Sequence, residues 1–218
     1  IRANAEATGL IMAHCRHATA ALVASTNSVY RPHADPWHAY VETDPLGDPT
    51  APHSPTYAVS KVGQEAVART MARALGLPTT IARINASYGP NGGLPAYHCD
   101  AIAAGRAVPL RSPDRSPYSP IHEDDLAAQV APLLDAAASP ATIVNWCGDE
   151  TVTAEQWCAL FGERLGVEPE LAYYDLPGSQ PGSAADPTKR RSLTGQCTVP
   201  WRDGMSALVD QRTRPANG

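Results

Sequence analysis

The sequence lacks any apolar run approaching the roughly 20 residues that a bilayer-spanning helix requires, which argues against a membrane protein. It also lacks excess positive charge. Seventeen basic against 22 acidic residues leave a formal charge of -5, so nothing electrostatic recommends nucleic acid or an anionic membrane surface as a partner. The five cysteines, Cys15, Cys99, Cys147, Cys158 and Cys197, include no Cys-x-x-Cys pair. An odd number without dense spacing argues against a disulfide framework and suits a reducing cytoplasm. His14, His17, His33 and His38 stand in no zinc motif. No basic, apolar and small-residue regions follow one another at the amino terminus, so no secretory signal is read there. The chain opens on Ile1-Arg2-Ala3-Asn4 without an initiator methionine, and the expectation is a piece of a longer polypeptide. Lysine is scarce as well. Lys61 and Lys189 are the two lysines, so a lysine at a particular spacing is not a by-product of composition. The dense basic run Lys189-Arg190-Arg191 reads as a solvated face.

What is present is enough apolar material for a core. The 218 residues are 43% hydrophobic and 18% charged, with a mean hydropathy of -0.27, values that exclude an extended disordered chain. Helical spacing marks residues 3–17 and 56–75, the second followed by Gly76 as a stop, and short apolar runs at 20–25, 79–84 and 142–147 read as buried strands. A further helix is expected over 124–138, bent at Pro132. Thr153-Ala154-Glu155-Gln156 is a capping-box pattern opening a helix to about Leu165. Strands apolar on both faces, alternating with helices, imply parallel pairing under helical cover. The fold class is therefore α/β with a doubly wound parallel sheet. Residues 1–90 form its main part. Residues 91–218 form a mixed region, a small substrate lobe with a returning helix and strand at about 121–147. The long Pro-rich stretch 31–55 reads as a functional or mobile loop. The segments 89–120 and 168–187 read as a lobe over the sheet's carboxyl edge, where ligands sit in such folds.

Tyr57 and Lys61 carry the most chemical information. An offset of four residues near a helix start puts both side chains on one face. A phenol titrates near 10 in water and a neighbouring ammonium favours the phenolate, so the pair suits proton transfer; an ordinary exposed helix pair is the alternative. Thr26 closes a predicted strand in Leu22-Val23-Ala24-Ser25-Thr26-Asn27-Ser28-Val29-Tyr30, at the edge where α/β sites assemble. Its hydroxyl is suited to polarise a substrate carbonyl, or to cap a turn.

In order along the chain stand Ser-Thr-x-x-Val-Tyr, a loop with Glu42, Ser-Pro-x-Tyr-x-x-x-Lys and Arg83-Ile84-Asn85-Ala86-Ser87-Tyr88-Gly89-Pro90. This succession resembles the extended short-chain dehydrogenase/reductases, the NAD-dependent epimerase/dehydratase family, over roughly residues 1–130. The resemblance implies a Rossmann-like sheet and makes Tyr57 the catalytic acid/base. Lys61 becomes the cation that favours its phenolate and bonds the nicotinamide ribose, and Thr26 the catalytic hydroxyl. It makes Asn4 a support for the lysine through a water, and sets Asn85 in the nicotinamide pocket. It implies NAD or NADP as cofactor, a small-molecule substrate, and a homodimer through the helices over 3–17 and 56–75. Ile121-His122-Glu123-Asp124-Asp125 is similar to a family element whose aspartates suit a helix start. His122 itself reads as a structural histidine, and His98-Cys99-Asp100 as no nucleophile constellation.

Departures narrow the expectation. Family dehydratases carry Asp-Glu after the catalytic threonine; here Asn27-Ser28 follow, against a 4,6-dehydratase. Tyr118 stands where the family places a diphosphate-holding arginine, with Arg115 out of register, and Ala86 stands for an asparagine, so a sugar nucleotide is less expected than a smaller carbonyl or alcohol. A Gly-rich pyrophosphate turn is absent. The one Gly cluster, Gly89-Pro90-Asn91-Gly92-Gly93, reads as a loop with no helix directly after it. The resemblance thus implies an NAD(P)-dependent oxidoreductase or epimerase. A cofactor-free isomerase, cyclase or lyase on the same scaffold, and a non-catalytic fragment or scaffold, stay open.

Overall fold

The computed structural model describes residues 1–47, 49, 55–111, 116–174, 178–180 and 182–213. Ser54 and Arg115 of the sequence motifs lie outside the described residues. A π-type turn, Arg2–Glu6, leads into helix α1, Ala7–His14. His17 therefore lies beyond the helix expected over 3–17 and is not on a face with His14. Strand β1, Ala21–Thr26, follows, then a short 3-10 turn, Asn27–Val29. Helix α2 runs over Tyr57–Leu75 and ends where Gly76 takes φ +62, a left-handed conformation that costs glycine little. Strand β2, Thr79–Ile84, comes next.

Beyond it are β3 (Ser87–Gly89), β4 (Gly92–Gly93), helix α3 (Leu94–Ala103) and β5 (Val108–Leu110). The expectation that no helix directly follows the Gly cluster is corrected, because α3 begins at Leu94 immediately after Gly93. Pro95 sits in the first turn, where its missing N–H would have had no intrahelical partner. The glycines serve a tight reversal: Gly93 has φ +102, and a Cβ there would lie 1.9 Å from the Ser87 carbonyl oxygen.

The chain continues through β6 (Pro117–Tyr118), β7 (Ile121–His122), α4 (Glu123–Asp135, with Pro132 inside) and β8 (Thr142–Trp146). It ends through β9 (Val152–Thr153), α5 (Ala154–Leu165), β10 (Leu171–Tyr173), α6 (Thr188–Thr194) and α7 (Trp201–Thr213). At α5 the capping box forms in full, Thr153 and Gln156 each satisfying the other's backbone N–H.

Strands β1, β2 and β8 make a parallel sheet in the order β1-β2-β8, with Thr26 beside Ile84 and Ile84 beside Trp146. Alternate side chains point to opposite faces. One face packs Val23 and Ile81 against Met12, Ala68 and Ala72 of α1 and α2. The other packs Ala82, Val144 and Trp146 with Ile121 and Leu133. Helices thus cover both faces, the doubly wound arrangement. A third core, built on Trp157, Phe161, Met205 and Leu208, joins α3, α5 and α7.

Within the basic run, Arg190 is a correction. Arg190 is fully buried; it pairs with Asp149 and donates to the carbonyls of Cys147 (3.2 Å) and Gly195 (2.5 Å), while Arg191 reaches the same Asp149 at 2.8 Å. Arg190 and Arg191 on the half-buried Asp149 carboxylate bind α6 to the end of β8, so Arg190 is an internal clamp, while Lys189 and Arg191 remain exposed as a solvated face requires. Among the described residues no helix is long and apolar enough to cross a membrane.

Candidate active site

The carboxyl ends of β1 and β2 and the first turn of α2 meet at one rim. Thr26 ends β1, 9% exposed; its Oγ1 accepts the Ser28 N–H at 3.3 Å and lies 3.4 Å from the Ser28 hydroxyl. That turn is what halts the strand and leaves the hydroxyl at the edge. Tyr57 is the first residue of α2, 39% exposed, and its hydroxyl has no hydrogen bond among the described residues. One turn on, the Lys61 ammonium lies 6.0 Å from the Tyr57 ring centroid. It donates to the Ala24 carbonyl and to Gln64 Oε1, each at 2.9 Å. Among the described residues two of its three protons are committed, leaving one for a ligand or the phenol. Burial draws the Lys61 pKa down while the Glu65 charge opposes the shift.

Asn4 donates to the Ser60 hydroxyl at 2.8 Å, and Ser60 donates to the Tyr57 carbonyl at 2.7 Å. Asn4 thus ties the first turn of the chain to the residue before Lys61. Asn85, just past β2, is nearly enclosed: its amide donates to the Ser183 carbonyl at 2.5 Å and its oxygen accepts from the N–H groups of Ala86 (2.8 Å) and Ser119 (3.0 Å). It holds the site's wall together.

Two cavities open on this rim. One, of about 180 Å³, is lined by Thr26, Asn27 and Asn85; the other, of about 150 Å³, by Tyr57, Ala58, Arg111 and Gln180; Ser28, Tyr118 and Ser183 line both. Thr26 and Tyr57 thus line adjoining cavities that share Ser28, Tyr118 and Ser183 as walls. Lys61 sits behind Tyr57, outside the lining of both.

Beneath the rim lies a polar network to which the sequence reading gave no role. Glu65 and Arg83, each 2% exposed at the side chain, form a two-pronged pair at 2.9 and 2.8 Å. Ser25 donates to the same carboxylate at 2.6 Å. Arg83 also donates to the Tyr30 hydroxyl (2.9 Å), which donates to Asn145 Oδ1 at 2.6 Å. Burial lifts the Tyr30 hydroxyl to about 12, against the pull of Arg83. Burial disfavours the Arg83 charge, yet Glu65 and Tyr30 hold it above the ordinary arginine value. The Glu42 carboxylate accepts the Asn145 N–H at 2.8 Å, tying the loop after β1 to β8. The signal for this network was an arginine inside a buried strand, which requires a partner, and a carboxylate four residues after Lys61. His122 caps α4, its Nδ1 accepting the Asp124 N–H at 3.1 Å. Asp125, in the first turn of α4, accepts from Thr198 and Val199.

A family model described as NAD dependent epimerase/dehydratase matches residues 1–145. No curated protein matches the sequence. The fold is similar to that of UDP-glucuronic acid 4-epimerase from Bacillus cereus, solved with UDP-glucuronic acid and NAD. The TM-score is 0.78 at 20% identity, covering 95% of this chain and 66% of that one. UDP-glucose 4-epimerase from Thermus thermophilus, solved with NAD, gives 0.74 at 25% identity, with 94% and 68% covered. A double mutant of a dTDP-glucose 4,6-dehydratase from Streptomyces venezuelae gives 0.77 at 25% identity, with 95% and 65% covered. The chain thus spans about two thirds of the length of these relatives. The matched stretch is the one that brings Asn4, Thr26, Tyr57, Lys61 and Asn85 to a single rim, and on that match the chain belongs to the NAD dependent epimerase/dehydratase family.

Proposed function

We propose that this chain supplies the acid/base machinery of an NAD(P)-dependent oxidoreductase or epimerase acting on a hydroxyl or carbonyl carbon of a sugar derivative or other small molecule. The observation that carries the reading is the Lys61 ammonium, fixed by the Ala24 carbonyl beside Tyr57 with one proton uncommitted among the described residues. The residues present fit the nicotinamide end of the cofactor. Lys61 has a donor to offer a ribose hydroxyl, and Tyr57 a hydroxyl without a partner among the described residues. When bound, the nicotinamide supplies hydride acceptance or donation.

The protein's share is proton management. Tyr57 takes the proton of a substrate hydroxyl, or returns it, and the adjacent ammonium stabilises the phenolate formed meanwhile. Thr26, whose hydroxyl accepts the Ser28 N–H at 3.3 Å and among the described residues donates only over a long 3.4 Å contact to Ser28 Oγ, donates to the developing oxyanion. Asn4 acts through Ser60 to hold the first turn of α2 in place. Asn27 and Ser28, which follow Thr26, bring no acid or base for water elimination, and this favours oxidation, reduction or epimerisation over 4,6-dehydration. The relatives act on nucleotide sugars, so UDP-glucose and UDP-glucuronic acid are the first substrates to assay.

Replacing Tyr57 with Phe in the intact protein is expected to lower turnover by about 10²–10⁴-fold, the share typical of general acid–base catalysis. Unchanged turnover would refute the role of Tyr57. Full turnover in nicotinamide-free buffer would instead favour a cofactor-free isomerase. We further propose a homodimer through α1 and α2, where Leu10 (72% exposed), Ile11 (62%) and Val59 (41%) present apolar surface.

A further inference from the structure

Gln64 stands three residues after Lys61 on α2, 8% exposed, and the chemistry proposed above gives it no part. Its Oε1 accepts from the Lys61 ammonium at 2.9 Å, and its Nε2 donates to the Thr8 hydroxyl of α1 at 2.9 Å. The two contacts settle the orientation of the amide. An ammonium has no lone pair to offer, so the atom toward Lys61 is the oxygen, and the amide nitrogen is left for Thr8. Thr8 reaches it because α1 and α2 approach closely. A Cβ at Gly9 would lie 3.0 Å from Val67 Cγ1, and one at Gly63 3.5 Å from the Ala5 Cβ.

The charge of the acceptor matters as much as its place. Both acceptors of Lys61 among the described residues, the Ala24 carbonyl and the Gln64 amide oxygen, are neutral. They hold the ammonium without cancelling its charge. Glu65, the charged neighbour that opposes the downward pull of burial on Lys61, has its carboxylate engaged by Arg83 and Ser25. A half-buried lysine stripped of an acceptor loses its proton more readily. A glutamate in place of Gln64 would keep that proton but offset the field reaching the phenol.

We propose that Gln64, anchored by Thr8, is a positioning residue that keeps the Lys61 ammonium protonated and aimed while leaving its charge undiminished for Tyr57 and its third proton free for a ligand. This rests on the roles of Tyr57 and Lys61 proposed above. Gln64 acts through Lys61 and not on the reacting atoms.

The test reads Lys61 itself. The intact protein is acetylated with trace acetic anhydride from about pH 6 to 11 and mapped by peptide mass spectrometry, since the reagent takes only the neutral amine. Lys189, exposed and the other lysine of the chain, is the internal reference. Gln64→Leu is expected to lower the pH of half-reaction at Lys61 by about one pH unit or more, the tenfold change that a hydrogen bond to a charged group allows. Gln64→Glu should raise it, with Lys189 unmoved in both. Turnover should fall in both variants, because one weakens the ammonium and the other offsets it. A merely structural Gln64 would move Lys61 the same way in both, or not at all, and either result would overturn the proposal. Thr8→Val should lower Lys61 by less than Gln64→Leu does, and Thr8→Ser should restore it. Should Gln64→Leu not fold, this second pair decides, and Lys61 unmoved in Thr8→Val sinks the proposal. The two readings fail differently. If Tyr57→Phe keeps full turnover while Lys61 responds to Gln64 as stated, the role of Tyr57 is lost and the hold on Lys61 stands. If Tyr57→Phe loses turnover while Lys61 ignores Gln64, Gln64 is lost and Tyr57 stands.

Discussion

Glu65 is the residue whose removal tests the architecture of the site most directly. Its carboxylate is buried, engages Arg83 at 2.9 and 2.8 Å and accepts from Ser25 at 2.6 Å. Glu65→Ala leaves the Arg83 guanidinium in the interior with the Tyr30 hydroxyl and the Glu42 carbonyl as its remaining acceptors. Breaking such a pair by removing one partner costs about 3–5 kcal/mol, because the surviving charge is neither hydrated nor paired. For a chain of this size each kcal/mol moves the melting midpoint by roughly 2–4 °C, so a fall on the order of 10 °C is expected. Replacing both partners, as in Glu65→Leu with Arg83→Met, removes the stranded charge and should recover most of the loss. The assay is urea unfolding of Glu65→Ala and of the cycle Glu65→Leu, Arg83→Met and the double variant, with the interaction term taken from the cycle. A loss below about 1 kcal/mol in Glu65→Ala, within the range of an exposed pair, or a double variant no better than the worse single one, would refute the reasoning.

Other outcomes follow from the same coordinates. Burial holds His98 at about 4 against 6.5 when unfolded, and its Nδ1 accepts the Trp157 N–H at 3.0 Å. The unfolded chain therefore binds the extra proton between these values. The stability that His98 contributes is complete above about pH 6.5 and falls as pH drops toward 4, by on the order of 3 kcal/mol. Unfolding midpoints measured across that window should slope less steeply in His98→Gln, and identical slopes would contradict the assignment. At the exposed faces of α1 and α2, sedimentation should give a dimer mass for the unmodified protein and a monomer for Leu10→Glu with Ile11→Glu. A monomer throughout counts against the dimer.

Much of this protein was legible in its linear pattern because local rules governed it. The bounds of β2, the Gly76 stop and the Thr153–Gln156 cap follow from residues that settle their own backbone within a few positions. The Tyr57–Lys61 spacing is of the same kind, since a helix brings positions four apart onto one face. Arg190 was misread because three adjacent basic residues say nothing about the carboxylate, 41 positions from Arg190, that receives two of them. Glu65, Arg83, Ser25 and Tyr30 were invisible as a unit for the same reason: strand order and register decide which polar groups are sealed in together. That Thr26 and Tyr57 line adjoining cavities, and that Arg111 lines the one with Tyr57, depended on how the segments after β2 fold back over the sheet. Sequence determined the elements and the chemistry they can carry. Tertiary packing decided which charges meet, because burial removes the water that would otherwise satisfy each of them alone.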